Sequence, residues 1–237
     1  MIKGIQKIYT EISASYERSN SLLTLGLDGR WRKKAVKSIL ASHPGARCFL
    51  DICSGTGQTA AMLSRHLQAQ ENFRIIAADF SHPMLRLARE RSLRENLANI
   101  RFTLGDTVNL PFPDNTFDVI VITFATRNLA AAPGHLSESF REFHRVLKPG
   151  GCFYNLETSQ PSSKLIKTFF HLYVKLTVAP LGRKISGSKG SYVYLSNSIR
   201  SFLPARELAD ALHEAGFKTV TWKNLLFGAV AFHQAQK

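Results

Sequence analysis

The chain has 237 residues, of which 44% are hydrophobic and 20% charged. That composition excludes disordered, collagen-like and coiled-coil chains as well as small disulfide scaffolds, and it leaves room for one filled α/β domain with a small lid. The net charge of +14 is local: Arg18 to Leu50 holds seven basic residues against Asp28 alone, Thr158 to Arg206 holds eight with no acid, and together they carry the whole excess. Two such surfaces predict a negatively charged partner, and an anionic bilayer and phosphate-rich nucleic acid are both admissible at this point. Aromatics interleave the second segment at Phe169, Phe170, Tyr173, Tyr192 and Tyr194.

The three cysteines, Cys48, Cys53 and Cys152, have no C-x-x-C spacing, which points to a reducing, cytoplasmic setting. The N-terminal segment has no apolar signal region. The greasiest stretch, Phe169 to Leu181, is interrupted by His171 and Lys175, so no transmembrane helix is expected.

In chain order, Ile5 to Tyr16 and Trp31 to Leu40 read as helices packing on or over the domain. Arg47–Ile52, Phe73–Asp79, Ile100–Leu104 and Phe117–Phe124 are short apolar runs of the kind buried on both faces of a parallel sheet. Between them Thr59–Gln68, Pro83–Glu95 and His135–Leu147 carry apolar residues at spacings of three and four. The last is followed by Lys148-Pro149-Gly150-Gly151, a helix stop and a turn into a strand at Cys152–Glu157. The alternation predicts a doubly wound parallel sheet. From Ser159 to Leu203 the alternation stops: Leu165–Thr177 is helix-like, Gly182–Gly190 reads as a loop, and the segment is expected to be a lid. Leu208–Ala215, stopped by Gly216, is a helix, and Thr219–Trp222 with Val230–His233 form a closing antiparallel pair.

Asp51-Ile52-Cys53-Ser54-Gly55-Thr56-Gly57 follows the first strand as a glycine turn opening a helix. A dinucleotide and an adenosine-sulfonium cofactor both suit such a turn. Two details favour a cationic cofactor: Ala60 stands where a pyrophosphate fingerprint has its third glycine, and Asp51 would repel a diphosphate while attracting a cationic amino-acid head. Asp79 ends the second strand, where a carboxylate accepts ribose hydroxyls, and Asp106 follows the third, in reach of the adenine amine. Met84 is placed to wall the adenine.

The chain resembles the class I S-adenosylmethionine-dependent methyltransferases, and within them the family that C-methylates ubiquinone and menaquinone precursors. The likeness runs through Tyr16, Asn20 and Gly26, Trp31-Arg32, Asp51 with Gly55-Thr56-Gly57, Asp79, Met84-Leu85 and Asp106. It continues through Leu110 to Asp118, Arg127-Asn128, Arg145 to Gly151, Ser191-Tyr192 with Tyr194-Leu195 and Ser198-Ile199-Arg200, and Ala215-Gly216-Phe217. The glycine turn marks the superfamily; the Arg-Asn pair and the Ser-Tyr-x-Tyr-Leu-x-x-Ser-Ile-Arg stretch mark the quinone family. Departures are Ala60 in place of a threonine, with Thr59 beside it, Ala125-Thr126 before the Arg-Asn pair, Asn197, and Gln234-Ala235 after His233. They bear on substrate identity.

The resemblance implies a Rossmann-like, mostly parallel seven-stranded sheet, with a helical cap at residues 1–45, a cofactor core at 46–158, a lid at 159–206 and a closing helix with antiparallel strands at 207–237. It implies S-adenosylmethionine held by Asp51, Gly55, Gly57, Thr59, Asp79, Met84, Asp106, Thr107 and Thr123. It also implies C-methylation of a prenylated quinol at an anionic membrane surface, and it leaves a homodimer open. Arg127 would stabilise the ring oxyanion and orient a water, Asn128 would hold the ring, and Tyr194 would join them, with Tyr16, Tyr192 and Arg200 in support. Another small molecule, a related prenylated redox carrier and nucleic acid are the alternative acceptors, the last disfavoured because no amino-methylation motif or RNA-binding module is present. His82, His135, His144, His171, His213 and His233 have no metal-ligand spacing, and no metal is expected; His171 and His233 are candidate bases.

Overall fold

The computed structural model describes residues 3–13, 16–70, 72–186 and 189–237; the side chains of residues 3, 5–7, 12, 16, 179 and 181–189 lie outside the description. In chain order the elements are α1 (Lys3–Ile12), α2 (Tyr16–Leu23), α3 (Leu27–Ser42), β1 (Cys48–Ile52), α4 (Gln58–Leu67), β2 (Arg74–Asp79), α5 (His82–Arg94), β3 (Ile100–Leu104), β4 (Phe117–Thr123), α6 (Thr126–Leu129), α7 (His135–Val146), β5 (Leu147–Thr158), α8 (Lys164–Ser186), α9 (Lys189–Ser201), α10 (Ala205–Glu214), β6 (Thr219–Leu225) and β7 (Val230–Gln236).

The seven strands form one sheet in the order β3-β2-β1-β4-β5-β7-β6. β3 through β5 pair in parallel, and β7 runs antiparallel to both β5 and β6. Successive residues of the central strands serve opposite faces, which is why the runs carry no polar alternation. Leu50, Ile120, Ile122 and Phe153 pack with Phe140, Phe143, Leu208 and Leu212 on one side. Phe49, Val119, Val121 and Tyr154 pack with Val36, Ile39, Ala60 and Leu63 on the other. The strand order reverses between β1 and β4, so the carboxyl ends of these strands open a crevice at the switch point. A third cluster, Tyr9, Leu23, Met84, Val174, Val178, Tyr192 and Leu195, seats α1, α2, α8 and α9 above that crevice.

Three expected boundaries move. The first helix ends at Ile12, where Ser13 Oγ donates to the Thr10 carbonyl (3.0 Å), and a separate helix begins at Tyr16. Leu147 to Gly151 belongs to β5 instead of forming a turn, because α7 passes directly into extended backbone at Leu147 (φ −72°, ψ 141°), which pairs with Phe117. The loop expected from Gly182 is helix as far as Ser186: α8 is 23 residues long and contains Pro180 and Gly182 without breaking. A glycine in a helix costs only about 1 kcal/mol, which packing of the pair α8 and α9 outweighs.

Candidate active site

The turn after β1 is built from unusual backbone. Cys53, Gly55 and Gly57 have φ of 52°, 54° and 75°. A Cβ on Gly57 would stand 2.9 Å from the Ala88 Cβ, so this glycine lets α4 meet α5, and it does not line the cavity above the turn. Gly55 has open space around its missing Cβ and lines the cavity above the turn.

Asp51 lies behind that cavity and does not line it. Its Oδ2 accepts the Ala60 amide (2.9 Å), a backbone bond indifferent to the side chain at position 60. Its Oδ1 is buried without a hydrogen-bond partner. Burial pushes the Asp51 carboxyl up to about 7, against the opposing pull of the Arg32 charge and the Ala60 amide. Asp79 accepts the Gly55 amide on Oδ2 and the Ser81 amide on Oδ1, both at 2.8 Å, and so closes the glycine turn onto β2. Burial raises it to about 6, these amides holding it down.

The cavity is lined by Gly55, Asp79, Phe80, Met84, Asp106, Thr107, Thr123, Asn128 and His135, with Tyr9 of α1 and Arg32 of α3. Asp79 and Asp106 bring two carboxylates to it, Phe80 and Met84 an apolar wall, and Asp51 an orphaned carboxyl oxygen behind it. These residues fit a cationic adenosine cofactor. Thr59, expected at the cofactor, is buried one layer back, where it bonds Arg32 Nη1 (3.1 Å) and Thr123 Oγ1 (2.9 Å). His135 Nε2 lies 3.8 Å from Asp106 Oδ1.

A second cavity of about 450 Å³ adjoins the first. Its walls are apolar: Leu23, Trp31, Phe124, Phe169, Phe170, Val174 and Ile199 among them, with Leu25, Leu226 and Phe227 at the rim. The end of β4 and the short α6 divide the two: Thr123, Ala125, Asn128 and Leu129 line the first, Phe124 and Arg127 the second. Among the described residues Arg32 alone lines both.

Arg127 is held by three bonds in this wall. Its Nη1 donates to Glu157 Oε1 (2.9 Å) and to the Phe124 carbonyl (2.7 Å), and its backbone N–H donates to Glu157 Oε2 (3.2 Å). Both side chains are buried, so the charge that the sequence reserves for the acceptor is largely compensated by Glu157. On the other side, Asn128 Nδ2 donates to Tyr9 Oη (2.8 Å), and Tyr194 Oη stands 3.4 Å from Asn128 Oδ1. Burial raises the Tyr194 phenol, the nearby Arg127 charge opposing it.

Other expected residues fall elsewhere. Tyr192 is fully buried in the cluster beneath the cover helices and Arg200 is exposed on α9. The side chain of Tyr16 lies outside the described residues. His233 is buried in β7, its Nε2 at 2.8 Å from the Ala205 carbonyl, and His171 Nε2 meets Gln160 Oε1 at 2.7 Å; neither lines either of these two cavities. Tyr9, Asp28, Arg32, His135 and Glu157 were not assigned a role from the sequence. For Glu157 the available signal was a charged residue at the end of an otherwise apolar strand; Arg32 stands among other basic residues of α3 and carried none. Glu17 of α2 bonds Thr56 Oγ1 and Arg91 Nη2, strapping the cover to the glycine turn.

The ubiE/COQ5 methyltransferase family matches residues 2–237. A demethylmenaquinone methyltransferase of Lactiplantibacillus plantarum is 36% identical over 238 residues, covering 100% of this chain and 97% of its own. A ubiquinone/menaquinone biosynthesis C-methyltransferase of Desulfotalea psychrophila is 34% identical, covering 99% and 90%. Among solved structures, a SAM-dependent methyltransferase from Thermotoga maritima superposes with TM-score 0.62 over 98% of this chain and 99% of its own at 19% identity, and one from Aquifex aeolicus with 0.57 over 85% and 88%, also at 19%. The crevice at the switch point, the glycine turn closed by Asp79 and the match along almost the whole chain lead to one conclusion: the chain belongs to the ubiE/COQ5 methyltransferase family and is an S-adenosylmethionine-dependent methyltransferase.

Proposed function

We propose that the chain methylates a ring carbon of a prenylated quinol, taking demethylmenaquinol to menaquinol or carrying out the equivalent step on a ubiquinone precursor. The observation that carries this reading is the pair of adjoining cavities: a carboxylate-lined one and a larger apolar one, divided by α6 and bridged by Arg32. An apolar chamber of this size suits a prenylated ring. Two relatives named for methylation in quinone biosynthesis support the same acceptor.

S-adenosylmethionine supplies an electrophilic methyl group. In this reading Asp79 and Asp106 hold the ribose and adenine, Met84 and Phe80 wall the base, Gly55, Thr107 and Thr123 line the remaining surface, and Asp51 and Thr59 support them from behind. Asn128, oriented by Tyr9 and Tyr194, positions the ring at the opening between the cavities. Arg127, immobilised by Glu157, orients the acceptor by hydrogen bonding more than by free charge. Packing the cover helices over both cavities excludes water from the reacting atoms.

The acceptor enters from a bilayer in this proposal. Leu25, Phe169, Leu176 and Phe227 are 80, 63, 62 and 80% exposed around α8 and the rim of the apolar cavity, an apolar display that a membrane interior would cover. The exposed cations Lys33, Lys34 and Lys37 of α3, and Lys164 and Lys175 of α8, belong to the elements that form the rim, where anionic head groups would meet them. Among the described residues no helix is long and apolar enough to cross a membrane, and a peripheral attachment needs none. Lipid extracts of a strain lacking this chain test the reading: a quinone lighter by one methyl group is expected, and an unchanged quinone with loss of a different methylated product would contradict it.

A further inference from the structure

Asp28 and Arg32 stand one turn apart on α3, each 5% exposed, and both line the apolar cavity. A buried carboxylate in an apolar wall is costly unless something uses it. Asp28 makes little provision for itself. Its Oδ1 accepts a hydrogen bond from Thr24 Oγ1 (2.9 Å), but that hydroxyl also lies 2.8 Å from the Asn20 carbonyl and has one proton for the two acceptors. It forms no ion pair with Arg32. Among the described residues Arg32 makes no ion-pair contact with a carboxylate, although its charge acts on the buried Asp51: Nη1 meets the hydroxyls of Thr59 and Thr123, its guanidinium lies 5.0 Å from the Phe124 ring centroid, and its Nε is buried without a partner. The apolar cavity thus holds an incompletely bonded acceptor in its wall and, one helical turn away, an incompletely bonded cation at the junction where the acceptor ring of the proposed function meets the methyl donor.

We infer that Asp28 is the proton acceptor of the reaction and Arg32 the cation that stabilises the ring oxyanion. The inference rests on the reading of the apolar cavity as the acceptor site. Asp28 takes the proton of the ring hydroxyl as the ring carbon bonds the methyl carbon, and the sulfur–methyl bond breaks with its electron pair left on sulfur. Asp28 then returns its proton to the ring oxygen while the methylated carbon releases its own proton to water and the ring regains aromaticity. One proton leaves per methyl group transferred. The other titratable groups facing Asp28 across the cavity are Arg127 with its partner Glu157 and Tyr173 of α8, whose hydroxyl donates to the Leu23 carbonyl.

The test uses the full chain with Asp28→Asn and Arg32→Gln, with Asp28→Ser in reserve should the first not fold. Cooperative urea unfolding at the wild-type midpoint serves as the check on fold. At pH 7 Asp28→Asn lowers turnover of a short-tailed demethylated quinol about 10²–10³-fold, the usual contribution of a positioned base. The deficit shrinks about tenfold per pH unit as the acceptor ionises in solution, which a merely structural defect would not do. 1-Naphthol, followed by its ultraviolet titration when bound, gives a readout independent of turnover: its apparent pKa falls in Asp28→Asn and rises in Arg32→Gln relative to wild type. Turnover of Asp28→Asn within a fewfold of wild type, a deficit independent of pH, or naphthol shifts absent or of the same sign in both variants would overturn the assignment. Failure of the wild-type chain to bind naphthol at all overturns the acceptor reading of the cavity, and this inference with it.

Discussion

Arg127 and Asn128 are consecutive in α6 yet face different cavities: the guanidinium lines the apolar one, bound to Glu157, and the amide lines the carboxylate-bearing one, bound to Tyr9. A four-residue helix is short enough to act as a partition with one polar side chain on each side. Breaking the buried pair from one side should be expensive: Glu157→Gln leaves an uncompensated buried guanidinium and is expected to lower stability by about 3–5 kcal/mol in urea unfolding. Arg127→Met with Glu157→Leu should recover most of that stability. Turnover of the double variant should still fall about 10²–10³-fold with cofactor affinity nearly unchanged. Recovery of turnover along with stability would reduce Arg127 to a packing role.

Asp79 closes the glycine turn and faces the cofactor cavity. Asp79→Ala should weaken S-adenosylmethionine binding about tenfold to a hundredfold, the equivalent of about 1.5–3 kcal/mol for charged hydrogen bonds, with the domain still folded. Calorimetric titration decides it, and wild-type affinity in the variant would remove Asp79 from the site.

The strand and helix order was legible because a sheet covered on both faces writes itself as uninterrupted apolar runs, as at Phe117–Thr123, and because the intervening helices keep their period. The acids at the strand ends were legible for the same reason: Asp79 and Asp106 follow the runs. Which of the motif's residues touch the cavity was not. Gly57 faces Ala88 and Asp51 faces the Ala60 amide, relations fixed by how α4 lies on α5 and β1. Asp28 and Arg32 were hidden in a basic, outwardly ordinary helix; only docking of α3 against Thr123, 91 residues on, brings them to the junction. The extension of α8 beyond Gly182 was missed because local breakers are overridden by long helical packing.

Asp51 gives a pH signature. Its carboxyl stands near 7 in the folded chain against 3.8 as the reference value, so its neutral form is favoured by folding. The associated stability is fully present below about pH 4 and is lost as pH rises through about 7. Relative to Asp51→Asn, which keeps an acceptor for the Ala60 amide, wild type should therefore lose on the order of 1–3 kcal/mol between pH 5 and pH 8 in the absence of cofactor. Parallel urea midpoints at the two pH values would show that Asp51 does not titrate there.

Membrane attachment is expected to need both the apolar rim and the cations. The chain should sediment with vesicles containing anionic lipid, less so as salt rises, at roughly 1 kcal/mol for each basic residue near the surface. Lys164, Lys167 and Lys175 all changed to Ala, or Phe227→Ser alone, should release a measurable fraction. Equal sedimentation with neutral vesicles, or none with either, would leave the two basic segments to a different partner.

The central claim is that the two cavities form one C-methylation site, and mass spectrometry of the acceptor tests it most directly. Purified chain, S-adenosylmethionine and a short-tailed demethylmenaquinol kept reduced should yield a product heavier by one CH₂ with the new methyl on a ring carbon, while the oxidised quinone, lacking the hydroxyl proton and the electron density, stays unmodified. No product from the quinol, or a methyl group carried on oxygen, would contradict the account.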